Sequence, residues 1–108
     1  MQITFYPMRH AQRLDMRKSG DTLVLNDERF DFSALEEGAT LPRAAIASPW
    51  IAGAVTRQDG VLHIPLILPH GPDAPHETRF AGPVTVTADG PLAVPVYDAP
   101  NDIEEDKA

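Results

Sequence analysis

The residues with the clearest capacity for chemistry lie in one short stretch, HGPDAPHE, at positions 70–77. Imidazole nitrogens and carboxylate oxygens are both competent ligands for divalent metal ions. His70, Asp73, His76 and Glu77 are therefore a candidate metal site. The spacing weakens this hypothesis, because it matches no standard ligand pattern and two prolines stiffen the loop. The alternative, which we favour, is a simple turn whose histidines face water.

The rest of the chain offers no stronger site for chemistry. It has no cysteine, which excludes disulfides, zinc–thiolate sites and cysteine nucleophiles. It also lacks the serine-elbow, phosphate-loop and HExxH motifs. Glu36 and Glu37 precede Gly38 on an expected surface turn, whereas an acid–base pair needs a cleft that separates the two pKa values. We predict a protein that is not an enzyme and needs no cofactor.

A protein partner is the better expectation, and four residues are the first candidates for its contact surface. Trp50 is the single tryptophan, and it is either a core or core-rim residue at the entrance to a strand or an interface anchor. His70, Pro72 and Pro75 belong to the 70–77 loop. Strand edges add a second kind of contact, since they are templates for an incoming strand.

Charge and hydropathy narrow the class of partner. The net charge of −7 disfavours nucleic acids, whose non-specific binding depends on cationic surface. Residues 1–18 nevertheless hold four basic side chains against one acidic one, and residues 98–108 hold five acidic side chains against one lysine. No apolar run approaches the ~20 residues of a membrane helix, and the N-terminus does not resemble a secretion signal. We expect a cytoplasmic protein.

The elements that must position these residues are predicted by three hairpin signals, which indicate an antiparallel all-β domain. The first is a two-residue turn at Ser19-Gly20, followed by a second turn near residues 26–29. Cross-strand apolar pairs contribute about 0.2–1 kcal/mol each, and they favour a register that keeps one face apolar. The predicted pairs are Lys18 with Asp21, Met16 with Leu23, Leu14 with Leu25, Leu25 with Phe30, and Leu23 with Phe32.

The second and third signals are Asp59-Gly60 and Ala88-Asp89-Gly90. The Asp-Gly dipeptide is typical of a two-residue hairpin turn, and a three-residue loop ending in glycine suits the third position. Pro65 cannot donate to a ladder, which indicates an edge strand or a bulge. The predicted pairs are Arg57 with Leu62, Val55 with Ile64, Gly53 with Leu66, Val86 with Leu92, and Val84 with Val94. The predicted core face of the strand after the second turn comprises Leu62, Ile64, Leu66 and Leu68.

The whole chain then divides into one β-domain at 1–97 and an acidic, disordered tail at 98–108. Residues 2–32 form a meander that begins with a strand at 2–6 and a connection at 7–11. Residues 33–50 hold one or two short helical turns, one over 33–36 and one capped by Thr40. Residues 51–97 form two hairpins. The strands either close as a small barrel or stack as a sandwich.

Four segments carry a resemblance to a known group: DTLVLN (21–26), DFSALEEGATLP (31–42), LILPHGPDAP (66–75) and VTVTADGP (84–91). They resemble short uncharacterised proteins encoded among the tail genes of proteobacterial prophages. The resemblance implies a minor tail component or a tail-assembly helper with phage tail subunits as partners. It also implies that the protein is either cytoplasmic or incorporated in a phage particle. It implies no catalytic residue. Homo-oligomerisation and a small metal- or ligand-binding module built on the 70–77 loop are the alternatives left open.

Overall fold

The computed structural model describes residues 1–98, and their regular elements are mainly short strands. The all-β prediction is confirmed. The elements are β1 (Gln2–Arg9), β2 (Met16–Ser19), β3 (Thr22–Leu25), β4 (Glu28–Asp31), β5 (Thr40–Leu41), a 3-10 helix (Arg43–Ala45), β6 (Val55–Gln58), β7 (Val61–His70), α1 (His76–Arg79), β8 (Val84–Thr85) and β9 (Gly90–Leu92).

The strands of residues 1–98 form two sheets that bury one core. The first sheet has the order β5-β6-β7-β1-β8, and the second has the order β4-β3-β2-β9. Both sheets contribute to a single cluster of buried apolar side chains, which corresponds to the sandwich alternative rather than a closed barrel. The members of that cluster from the strands include Ile3, Phe5, Met16, Leu23, Leu25, Val55, Leu62, Ile64, Leu66 and Leu68.

The longest pairing in the protein, between β1 and β7, is parallel. The antiparallel meander expected for residues 2–32 is therefore wrong at its first strand, which extends to Arg9 and joins the other sheet. Parallel neighbours need a long crossover connection, and here most of the second sheet lies within it. Ile3 and Phe5 face inward beside Ile64 and Leu66, so the apolar alternation of both strands is satisfied by one core.

The β2–β3 turn lies one residue later than predicted. Ser19 pairs with Thr22, and Lys18 faces Leu23 rather than Asp21. The structure uses Gly20, with φ at +60°, as the first central residue of the turn, the position at which a type II′ turn needs glycine. The pairing shifts by two residues, which exchanges partners but preserves faces.

The β3–β4 turn shows the same kind of offset. Its central residues are Asn26 and Asp27, with φ at 48° and 68°, the pair of left-handed conformations of a type I′ turn. Leu23 consequently faces Phe30, whereas we predicted Phe32. Leu23 and Leu25 are buried as expected, so the predicted apolar face is correct although the pairs are not.

The Asp59-Gly60 hairpin is confirmed, with Arg57 opposite Leu62. The predicted core face of β7 is also confirmed, since alternate residues from Leu62 to Leu68 are at most 2% exposed. The pairing of Gly53 with Leu66 is wrong, because Ile51 takes that place. β7 lies inside its sheet, so Pro65 does not mark an edge. The bulge alternative fits better, because residues 52–55 lie opposite only residues 64–65, between the pairs Thr56–His63 and Ile51–Leu66. The Pro65 carbonyl accepts the Ala52 N–H at 2.9 Å there.

The third hairpin is not formed. β8 pairs with β1 in the first sheet, and β9 pairs with β2 in the second. The segment between them crosses from one sheet to the other. Asp89 fastens the crossing, because its carboxylate accepts hydrogen bonds from the Lys18 Nζ and the Gly20 N–H, each at 3.0 Å. β8 and β9 pair instead with the edges of β1 and β2. These pairings are more favourable than the local hairpin that the turn residues 88–90 predict.

The short helical elements differ from the expected ones. Residues 33–36 form a turn and no helix. The 3-10 helix Arg43–Ala45 is confirmed as a short turn, although Thr40 belongs to β5 and does not cap it. α1 was not predicted. The disordered acidic tail lies outside the described residues except for Asp98, which contacts the body by accepting the Asp73 N–H at 2.9 Å.

Candidate functional site

The candidate metal ligands of the 70–77 loop do not converge. Among residues 1–98, no three histidine, aspartate or glutamate side chains lie close enough to hold a metal ion. The His70 Nδ1 lies 2.9 Å from the carbonyl of Gly71. The His76 ring packs on Phe80 with the ring centroids 4.6 Å apart. Glu77 is exposed in the first turn of α1.

The loop is held to the body by a residue that the sequence analysis passed over. Thr78 is 1% exposed, and its hydroxyl donates a hydrogen bond to the carbonyl of Val96 at 2.7 Å. This contact fixes α1 and leaves Pro72 exposed and Pro75 half-buried. Of the expected contact surface, Pro72 is therefore the part most accessible to a partner.

Trp50 is a core residue. It is 5% exposed, and the ring of His10 lies across it with the centroids 5.2 Å apart. The core alternative is thus the one observed. A side chain this buried offers little surface to a partner, so an anchor for partner binding has to be sought elsewhere.

The most accessible strand edge is that of β4, the outer strand of the second sheet. On an antiparallel edge strand, alternate residues direct their peptide groups toward the neighbouring strand and the others direct them outward. Glu28 closes the two-residue turn, and the Phe32 N–H donates to the Asp21 carbonyl at 3.0 Å, so both belong to the inward set. Arg29 and Asp31 therefore present their N–H and C=O groups outward.

The other edges are poorer templates. β1 extends well beyond its two-residue neighbour β8, but the outward series that starts at Ile3 continues through Phe5, Pro7 and Arg9. Pro7 has no N–H, and α1 packs beside this strand. Both features are known devices for blocking edge-to-edge pairing. β5 and β9 are only two and three residues long.

A groove runs beside the β4 edge, on the open side between the two sheets, and we call it the edge groove. Its volume is about 310 Å³. Its walls come from β4 of one sheet and from β5 and the 3-10 helix of the other. The lining residues are Glu28, Arg29, Phe30, Asp31, Phe32, Leu41, Ala45, Ile46 and Ala47. A smaller cavity of about 180 Å³ continues it past Ala34 and Leu35.

Arg57 of β6 stiffens the wall of this groove. Its guanidinium donates to the carbonyl of Leu35 at 2.6 Å, to the carbonyl of Phe32 at 3.1 Å and to the carboxylate of Asp21 at 3.0 Å. The side chain is 15% exposed, so these charge-assisted hydrogen bonds form in a partly desolvated place. Arg57 thereby ties the first sheet to the turn after β4.

The carboxylate of Asp31 shapes the end of the edge strand. The backbone N–H of Ser33 donates to it at 2.9 Å, and this hydrogen bond is the main reason why the pKa of Asp31 lies below its ordinary value. The side chain is therefore ionised at neutral pH and holds the turn after β4. The edge groove thus combines outward peptide groups, an apolar floor and a fixed turn.

Sequence reasoning did not find the edge groove, because its lining comes from three separate segments. The single available signal was the exposed, charged edge of the β4 segment.

Comparisons with family models, with curated proteins and with solved structures find no match for this chain. In the part of the chain that the structure describes, no helix is long and apolar enough to cross a bilayer.

Proposed function

We propose that this protein is a non-enzymatic protein-interaction domain that accepts an extended segment of a partner along the edge of β4. The observation that carries the proposal is the edge groove, where the outward peptide groups of Arg29 and Asp31 border a channel lined by both polar and apolar side chains. An added strand gains main-chain hydrogen bonds from such an edge, and pockets beside it select alternate side chains.

The chemistry of the groove defines the segment that would fit. Half-buried Phe30 and Leu41 supply apolar surface above buried Phe32 and Ile46, whereas Glu28, Arg29 and Asp31 supply both signs of charge at the rim. A partner strand with apolar residues at alternate positions would bury them against this floor. Its polar residues would face water beside the rim.

The biological setting of the proposal rests on the sequence resemblance to proteins encoded among prophage tail genes. The partners would then be tail subunits, and the protein would act as a minor tail component or as a helper in tail assembly. Two carboxylates, Asp31 and Asp89, have lowered pKa values. Both are exposed, and their hydrogen bonds hold turns.

The test is affinity capture from the native host after prophage induction, with variants that close the edge. Arg29→Pro removes one outward N–H without removing a donor from the β3–β4 ladder, and Arg29→Ala keeps that N–H. Ala47→Arg fills the groove, whereas Ala44→Arg adds the same side chain to the preceding 3-10 helix, at an exposed position that does not line the groove. Circular dichroism confirms that each variant is folded.

We expect a defined set of captured proteins with the wild type, Arg29→Ala and Ala44→Arg, and loss of that set with Arg29→Pro and Ala47→Arg. Tail subunits in the set would support the tail assignment, and unrelated proteins would overturn it. If Arg29→Pro and Ala47→Arg capture the same proteins as the wild type, or if the wild type captures none above background, the proposed binding at the β4 edge is wrong.

A further inference from the structure

A second surface, independent of the β4 edge, lies around Tyr97 at the C-terminal end of the described chain. Two clefts of about 320 Å³ and about 280 Å³ flank this side chain. Arg9 and His10 line the first, and Arg13 lines the second. We call the pair the Tyr97 clefts.

Tyr97 is held firmly between the two clefts. Its hydroxyl donates a hydrogen bond to the carbonyl of His10, and its own carbonyl accepts the Gly71 N–H at 2.8 Å. The guanidinium of Arg13 lies over the ring, 4.4 Å from the centroid, a cation–π arrangement. Arg13 is therefore held against a fixed aromatic ring, and Arg9 is the last residue of β1.

The charge around the partition is unbalanced. Arg9 and Arg13 are exposed, and no carboxylate of residues 1–98 forms an ion pair with either of them. One carboxylate borders the first cleft, because Asp98 lies against Gly71 and accepts the Asp73 N–H at 2.9 Å. The residues that line the Tyr97 clefts nevertheless include two arginines and no carboxylate, on a chain whose net charge is −7.

We propose that the Tyr97 clefts bind an acidic peptide segment of a partner protein, with Arg9 and Arg13 as the groups that bind its carboxylates. Charge complementarity identifies the class of ligand, because a local cationic site on an acidic protein attracts and orients an acidic segment. The two cations line separate clefts that share Tyr97, which suits carboxylates spaced along a chain. Exposed Pro72 and half-buried Val94, which also line the clefts, offer apolar contact to a peptide backbone.

The test is fluorescence anisotropy with a labelled peptide that alternates glutamate with glycine and serine, titrated with the full chain at low salt. The matched control peptide carries glutamine in place of glutamate. We expect binding of the glutamate peptide alone, and loss of binding as salt rises toward 1 M, where the Debye length falls to about 3 Å. Equal binding of both peptides, or of neither, would overturn the proposal.

Variants locate the binding. Arg9→Gln and Arg13→Gln should each weaken it about two- to fivefold, the range expected for one exposed ion pair. Arg13→Lys keeps the charge and should retain most of the affinity, which separates charge from packing on Tyr97. Arg17→Gln removes an exposed cation outside the clefts. If Arg17→Gln weakens binding as much as Arg13→Gln does, the site is not at Tyr97.

Two further arms identify the ligand. Competition by inorganic phosphate at the concentration of the peptide would show a site for any small anion, and the peptide assignment would be wrong. The C-terminal acidic residues are neutralised in the full chain by Asp102→Asn, Glu104→Gln, Glu105→Gln and Asp106→Asn. Tighter peptide binding by that variant than by the same variant carrying Arg9→Gln and Arg13→Gln would support the proposal, because both proteins lack the four negative charges and only the first keeps the two cations of the clefts. Equal binding by the two would overturn it.

Discussion

The β6–β7 hairpin and the segment 84–98 represent opposite ways of holding a strand in this protein. β7 lies between two neighbours and buries Leu62, Ile64, Leu66 and Leu68 on one face. The segment 84–98 divides between the two sheets, and Val84 and Val96 are 41% and 52% exposed. The first region is held by apolar burial along its whole length, and the second is held by separate contacts.

The separate contacts of the second region are specific. Asp89 binds the β2–β3 turn, the Val96 carbonyl accepts from Thr78, and the Tyr97 carbonyl accepts from Gly71. The hydrogen bonds of the Val96 and Tyr97 carbonyls each have a modest net free energy of about 0.5–1.5 kcal/mol, and the contacts of Asp89 are exposed to solvent. Burial of a large aliphatic side chain contributes about 1.5–3 kcal/mol. The comparison indicates that the hairpin sets global stability, whereas the C-terminal segment is the part that can open locally.

The largest expected effect tests the hairpin side of this comparison. Ile64→Ala removes a side chain that is 1% exposed at the centre of β7, and we expect a loss of about 2–5 kcal/mol in the free energy of unfolding. The measurement is urea denaturation followed by circular dichroism. A loss below about 1 kcal/mol would mean that β7 does not form the centre of the core.

A matched pair of valines makes the same test across both regions. Val55 of β6 is fully buried, whereas Val84 of β8 is 41% exposed. Val55→Ala removes two buried methyl groups, at about 0.8 kcal/mol each before any cavity is counted. Val84→Ala should cost less than about 1 kcal/mol. Similar losses at the two positions would erase the proposed difference.

The contrast also explains what the sequence could reveal. Asp59-Gly60 predicted the correct register because both flanking strands bury their alternate residues against the same core. The turns around Gly20 and Asn26 were displaced by a small amount, because the apolar face is unchanged by a shift of two residues. Apolar alternation therefore determined the faces, and local backbone conformation determined the pairs.

The parallel pairing of β1 with β7 and the separation of β8 from β9 depended on long-range competition for strand edges. A local sequence pattern cannot predict which distant strand has an unpaired edge. The same reason applies to the edge groove, whose walls meet only after both sheets have formed. Arg57 looked like an ordinary strand residue in the sequence, and its contacts with Asp21, Phe32 and Leu35 follow from the tertiary arrangement.

A smaller effect is expected at the turn of the hairpin. Gly60 adopts φ at +76°, with open space where a Cβ would stand, so Gly60→Ala introduces backbone strain and no clash. We expect a loss of about 1–2 kcal/mol. Gly82→Ala is the matched control, because Gly82 also has open space and its φ is not in the left-handed region. Equal effects of the two substitutions on the urea midpoint would show that the left-handed conformation of Gly60 does not affect the stability of the protein.

The smallest expected effect concerns the attachment of the C-terminal segment, and it depends on pH. The hydrogen bond from Lys18, then that from the Gly20 N–H, holds the pKa of Asp89 below its ordinary value of 3.8. A depressed carboxyl pKa contributes stability that is present above the unfolded-state value and is lost as pH falls through the folded-state value. The urea midpoints of the wild type and Asp89→Asn should therefore differ by a constant amount near neutral pH.

That difference should shrink as pH falls below about 4, because protonated Asp89 no longer binds Lys18 as an anion. Asp31 titrates in the same acidic range with a lowered pKa, but it is present in both proteins and cancels in the comparison. A difference that persists unchanged at acidic pH would mean that the substitution acts through packing. The crossing from β8 to β9 would then be held by its strand pairings with β1 and β2, and the C-terminal segment would resemble the hairpin more closely than its exposed valines indicate.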